Sequence, residues 1–175
     1  MMPRMTWTAP DVDRRHEPYV ADERAMLQGW LDYHRDTLLL KCQGLTGDQL
    51  VARSVEPSTL SLLGLVRHMA AVERSWFHRA AGVAHDDLYY SDDSPDGDFD
   101  DGTPESAEAD FATFRAECEK ADRVAADLPL DHTFTTTRGR VISLRWVYTH
   151  MIEEYARHNG HADLLRERLD GATGD

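Results

Sequence analysis

Cysteine and lysine are nearly absent from this 175-residue chain, which has two of each, and it contains no long apolar run. Cys42 and Cys118 lie far apart and form no CxxC or CxxH pattern, so neither a cysteine zinc site nor a disulfide framework is expected. No segment approaches the ~18 to 20 apolar residues of a membrane span, and the opening MMPRMTWTAPDVDRRHEP has no secretory h-region. A reduced, cytoplasmic setting without a membrane partner is the expectation. Basic charge is scarce as well. Nineteen basic against thirty-two acidic residues give a formal charge of −13, which would repel a phosphate backbone, so nucleic acid is not an expected partner.

Much of the acid falls in one stretch, HDDLYYSDDSPDGDFDDGTPESAEAD. Its spacing loosely resembles a calcium loop but lacks the closing glutamate and the flanking helices in register, so a solvated acidic loop over about 83–103 is expected. The length suits one domain that buries most of its apolar surface. The boundaries read as an N-terminal tail over 1–19, a bundle domain over 20–170 and a C-terminal tail over 171–175.

Apolar spacing predicts four long helices. From about Val20 to Lys41, the series Met26, Leu27, Trp30, Leu31, His34, Leu38 recurs at steps of three and four, the stripe of an amphipathic helix. A second helix, Leu60 to about Ala81, follows Pro57, with Ser58 or Ser61 as its N-cap. The third starts at the Thr103-Pro104-Glu105 signal and runs to about Leu128, with Phe111, Phe114, Cys118, Ala121 and Val124 facing inward. A threonine-rich run with an Arg-Gly turn, DHTFTTTRGRV, reads as an extended excursion or hairpin. Ser143 then caps a fourth helix that ends at Asp170-Gly171. The fold class is therefore all-α, a four-helix bundle.

The last helix carries the densest chemistry. His150, Glu154, His158 and His161 fall within roughly 80° of one another at about 100° per residue, on one helix face. Imidazole and carboxylate are the usual ligands of zinc and its neighbours, and residues four apart reach one ion from an unbent helix. A site inside a bundle needs a partner from another helix, and His68 sits among Leu65, Met69 and Val72 on the second. Taken alone, His68 reads equally as a hydrogen-bonded core residue.

The paired segments LSLLGLVRHMAAVERSWF and LRWVYTHMIEEYARHNGHADLLRERLDGATG resemble the DinB-like superfamily, in the branch of the mini-circle proteins and relatives of mycothiol-dependent maleylpyruvate isomerase. The likeness runs from about Glu23 to Gly174. It implies a four-helix bundle with a divalent metal, zinc or nickel, between the second and fourth helices. Similarity of RHNGH to the family's HHRGQ segment implies His68, Glu154 and His158 as ligands, with His150 and His161 as hydrogen-bonding neighbours or, for His161, an alternative to Glu154.

Two histidines and a carboxylate leave a coordination position open, the mark of a catalytic rather than a structural zinc site. The resemblance then implies an enzyme that uses a small thiol such as mycothiol in S-transfer to, or isomerisation of, a small electrophile, working as a homodimer. The alternatives are a non-catalytic metal-binding stress or accessory protein, or a metal-dependent hydrolase. Seventeen arginines against two lysines suit a high-GC genome, the setting in which mycothiol is common. Arg145 and Arg157 are the substrate-binding candidates, because a guanidinium forms a planar fork for carboxylates.

Overall fold

The computed structural model describes residues 7–174. Four long helices form the body: α1 (Glu23–Leu40), α3 (Leu62–Ala80), α5 (Ala107–Ala125) and α6 (Leu144–Asp170). Two single-turn helices, α2 (Gly47–Leu50) and α4 (Gly97–Asp100), lie in the connections. Between α5 and α6 the strands β1 (Thr133–Thr135) and β2 (Val141–Ser143) pair antiparallel, Phe134 opposite Ile142, so the expected hairpin is present. Among the described residues no helix is long and apolar enough to cross a membrane.

Local chemistry sets the helix ends. Asp22, Ser61 and Ser143 each accept a backbone N–H of the first turn of α1, α3 and α6, which decides the second N-cap in favour of Ser61. Gly171 closes α6 at φ 78°, a left-handed conformation that a side chain disfavours. The third helix starts later than its sequence signal, because Thr103 and Ser106 exchange hydrogen bonds in a turn of their own and helical pairing begins at Ala107. It also stops at Ala125, where Arg24 of α1 binds the carbonyl oxygens of Ala125 and Leu128.

The α3 helix packs on α5 and α6, and α1 packs on α6. Leu31, Leu38, Leu63, Val66, Met69, Phe77, Phe114, Met151 and Tyr155 fill the space between them and are almost wholly buried. Each side chain of this size contributes about 1.5–3 kcal/mol by leaving water. The apolar stripes also enclose a charged network that their pattern does not announce. Arg35 of α1 grips Glu73 of α3 through two bonds of 2.7 and 2.8 Å, and Tyr155 of α6 donates to the same carboxylate at 2.8 Å. Arg35 also reaches Asp122 of α5 at 2.8 Å, so one guanidinium ties the helices to each other.

Candidate metal centre

His68 projects from α3 and Glu154 and His158 from α6, where these helices pack together. One ligating atom from each of the three lies within 4.8 Å of the others. The Glu154 Oε2 to His158 Nε2 distance is 3.5 Å, close to the ~3.4 Å that separates two ligands of a tetrahedral ion with bonds near 2.1 Å. The two ring planes of His68 and His158 meet edge to face at 4.8 Å between centroids. The helical face of α6 and His68 of α3 are thus brought together.

Each imidazole is oriented by its other nitrogen. His68 Nδ1 is 2.8 Å from Asp98 Oδ2, and His158 Nδ1 is 3.4 Å from His161 Nδ1. A carboxylate on Nδ1 fixes the tautomer that leaves Nε2 with its lone pair, the form in which histidine ligates. Burial, reinforced by the neighbouring His68 and His161, pushes His158 down to about 4. At neutral pH its ring is therefore uncharged and ready to donate a lone pair.

Asp98 corrects the expectation of a solvated acidic loop. It is 5 % exposed, lies in α4, and uses its other oxygen to accept the Phe99 N–H at 3.1 Å. The loop is drawn onto α3 by Arg67, which donates to the carbonyl oxygens of Gly97 and Asp98 at 2.9 and 3.1 Å and to the Asp110 carboxylate at 3.0 and 3.2 Å. Phe99 then stacks on His68 with centroids 4.4 Å apart. The approach is close enough that a Cβ on Gly64 would stand 2.8 Å from the Phe99 carbonyl oxygen. Acidic composition signals solvent, and only the tertiary placement of Arg67 reverses that inference.

His150 lies one turn before Glu154, with Nε2 at 3.4 Å from Glu154 Oε1 and Nδ1 at 3.3 Å from Glu153 Oε2. These three form a second, overlapping group of metal-type side chains that shares Glu154 with the first. Trp146 stacks on the His150 ring at 4.7 Å, and Trp76 of α3 meets it edge-on at 5.1 Å. Arg145 is elsewhere, paired with Glu23 at 2.6 and 3.1 Å, and Arg157 is exposed on the outer side of α6. Arg138 and Arg140 belong to the threonine- and arginine-rich stretch before α6 that reads from sequence either as a substrate loop over the metal mouth or as an ordinary connection, and with Arg79, which sequence reasoning missed, they line a cavity beside His150 together with Trp76 and Trp146. They are separated by some sixty positions, and only the hairpin between α5 and α6 brings them together.

Neither cysteine of the chain reaches the cluster as a nucleophile. Cys42 is buried, which pushes its thiol up to about 12, and burial with the Glu73 carboxylate nearby raises Cys118 well above the ordinary range. A thiol that reacts here comes from a second molecule. No curated protein matches the chain in sequence. The family model described as mycothiol-S-transferase matches residues 26–171, from the first turn of α1 to the C-cap of α6 and with the whole cluster inside it. The chain belongs to the mycothiol-S-transferase family, metal-dependent enzymes of the DinB-like superfamily that transfer the thiol to electrophiles.

Proposed function

We propose that His68, Glu154 and His158 hold the divalent ion of this transferase, and that the thiol of mycothiol meets its electrophile at their common face. The observation that carries this is the convergence of three ligating atoms within 4.8 Å from two helices whose sequence positions are far apart. Two imidazoles and one carboxylate suit zinc, with nickel as the alternative, and leave a position for an exogenous group. When bound, such an ion stabilises a thiolate at neutral pH.

The protein's own part is to position and exclude. Asp98 holds His68 in one tautomer and one orientation, and His161 contacts the Nδ1 side of the His158 ring and steadies its orientation. Phe99 covers the His68 ring on one side and keeps water from that flank. Glu154 sits between His150 and His158 at 3.4 and 3.5 Å, so its carboxylate is confined on both sides.

Residues 20–170 are taken as one functional unit, supported by a family match that spans nearly the same range. A cytoplasmic setting is supported by the two free thiols. The homodimer implied by the resemblance finds support in Trp30, which is partly exposed on α1 beside the half-buried Tyr33 and His34 rings. Metal analysis of purified protein beside His68→Ala and His158→Ala tests the ligand assignment. One equivalent of metal in the parent and loss in both variants is the expected result, and full retention in either variant would overturn it.

A further inference from the structure

We infer that the cavity beside His150 selects electrophiles that carry a carboxylate on a flat, unsaturated body. The inference rests on the metal assignment above only for where the thiol stands. The cavity measures about 690 Å³ and is lined by Trp76, Arg79, Arg138, Arg140, Trp146 and His150, among others. His150 belongs to both places, because the same ring that faces the cavity has Nε2 3.4 Å from Glu154. The His150 ring is therefore the wall that the cavity shares with the three-residue cluster.

The walls state what kind of molecule fits. Trp76 and Trp146 stand 5.2 Å apart with their planes inclined at 60°, and Trp146 is 42 % exposed, an apolar surface presented to a ligand rather than to the core. Flat π-systems are the natural occupants of such a corner. The charge is equally specific. In a chain of net charge −13, Arg35, Arg67 and Arg74 are each matched by Glu73, Asp110 and Glu117. None of the guanidiniums of Arg79, Arg138 and Arg140 is ion-paired with a carboxylate among the described residues. Three unneutralised cations around one concavity attract an anion over the field of the whole protein, and the guanidinium fork matches a carboxylate.

The reaction this permits is balanced with the family's thiol alone. On a chloronitrobenzoate, the mycothiol sulfur bonds to the ring carbon that bears chlorine, the carbon–chlorine bond breaks, chloride leaves and the thiol proton passes to solvent. The carboxylate stays bound to the arginines throughout and serves only to place the ring.

Isothermal titration calorimetry of the full chain with 4-chloro-3-nitrobenzoate and with its methyl ester, without thiol, reads this site apart from turnover. The carboxylate is expected to bind at least tenfold more tightly than the ester. That preference is expected to collapse in Arg138→Gln/Arg140→Gln, whose exposed turn positions leave the bundle intact, and to weaken as salt is added. Equal binding of acid and ester, or a preference that survives the double replacement, overturns the inference. Failure of the metal assignment is a different result, retained metal in His68→Ala or His158→Ala, so the two remain distinguishable.

Discussion

Asp98 Oδ2 lies 2.8 Å from His68 Nδ1, so a carboxylate from the acidic connection between α3 and α5 sets the orientation of the only cluster histidine that α6 does not supply. That contact links two events that sequence keeps apart, the folding of a loop onto the bundle and the completion of a metal-type site.

Replacing Asp98 with alanine removes the group that fixes His68 without removing any of the three proposed ligands. Loss of such an outer hydrogen bond typically weakens metal affinity ~10- to 100-fold. Chelator competition on Asp98→Ala should report a loss in that range, with Asp98→Asn intermediate because an amide still accepts at one oxygen. Parent-like affinity in both variants would show that the loop merely covers the ring.

Glu154 and His161 compete for one role, and the distances separate them. His161 Nδ1 faces His158 Nδ1 at 3.4 Å, on the side of that ring away from the Nε2 that approaches Glu154 at 3.5 Å. Glu154→Ala is therefore expected to release the metal, whereas His161→Ala keeps it with reduced affinity. Metal content after gel filtration reads both. The reverse pattern, metal lost from His161→Ala and kept by Glu154→Ala, would exchange the two assignments.

The four helices and their inward faces were legible because apolar spacing survives any tertiary detail: Leu31, Leu38, Met69 and Phe77 sit where periodicity puts them. The surroundings of the cluster were legible for the same reason, since helical position puts His150, Glu154, His158 and His161 on one face and His68 among the apolar residues of its helix, and the resemblance then selected His68, Glu154 and His158 among them. Asp98 was not, because nothing in DDSPDGDFDD distinguishes the one acid that Arg67 draws inward from those left in solvent. The Arg35–Glu73 pair was hidden for the opposite reason: a search for apolar stripes reads charged residues as outward, and both are buried. The arginines of the hairpin turn were legible as possible substrate-loop residues, whereas Arg79 escaped because its long-range proximity to them leaves no local trace.

The Arg35–Glu73 pair carries its own prediction. Glu73 is fully buried and accepts from Arg35 and Tyr155 together, so removing it leaves the Nε and one terminal nitrogen of a buried guanidinium without their acceptor, while Asp32 and Asp122 still hold its other nitrogen. Breaking such a pair by deleting one partner costs ~3–5 kcal/mol. Urea denaturation of Glu73→Ala should show a midpoint lowered by a corresponding amount, while Glu73→Gln, which keeps hydrogen-bonding capacity, loses less. A midpoint unchanged in Glu73→Ala would mean that the network contributes nothing to stability.

Glu117 of α5 gives the bundle an acid-sensitive contact with a defined direction. Burial alone would raise its carboxyl, but the bonds from Arg74 at 2.8 and 3.0 Å and from Lys120 at 2.7 Å outweigh that and bring it down to about 2. The unfolded chain holds the same group near the ordinary glutamate value of about 4.3. Between those two values the unfolded state binds the additional proton, so stability falls as the pH falls through this window, and the contribution is fully present above it. In Glu117→Gln the group no longer titrates, and the slope of stability against pH between about pH 5 and pH 2 should flatten. Chemical denaturation at a series of pH values in that range measures the slope directly. An identical slope in parent and variant would assign the acid sensitivity to other carboxylates and remove Glu117 from the argument.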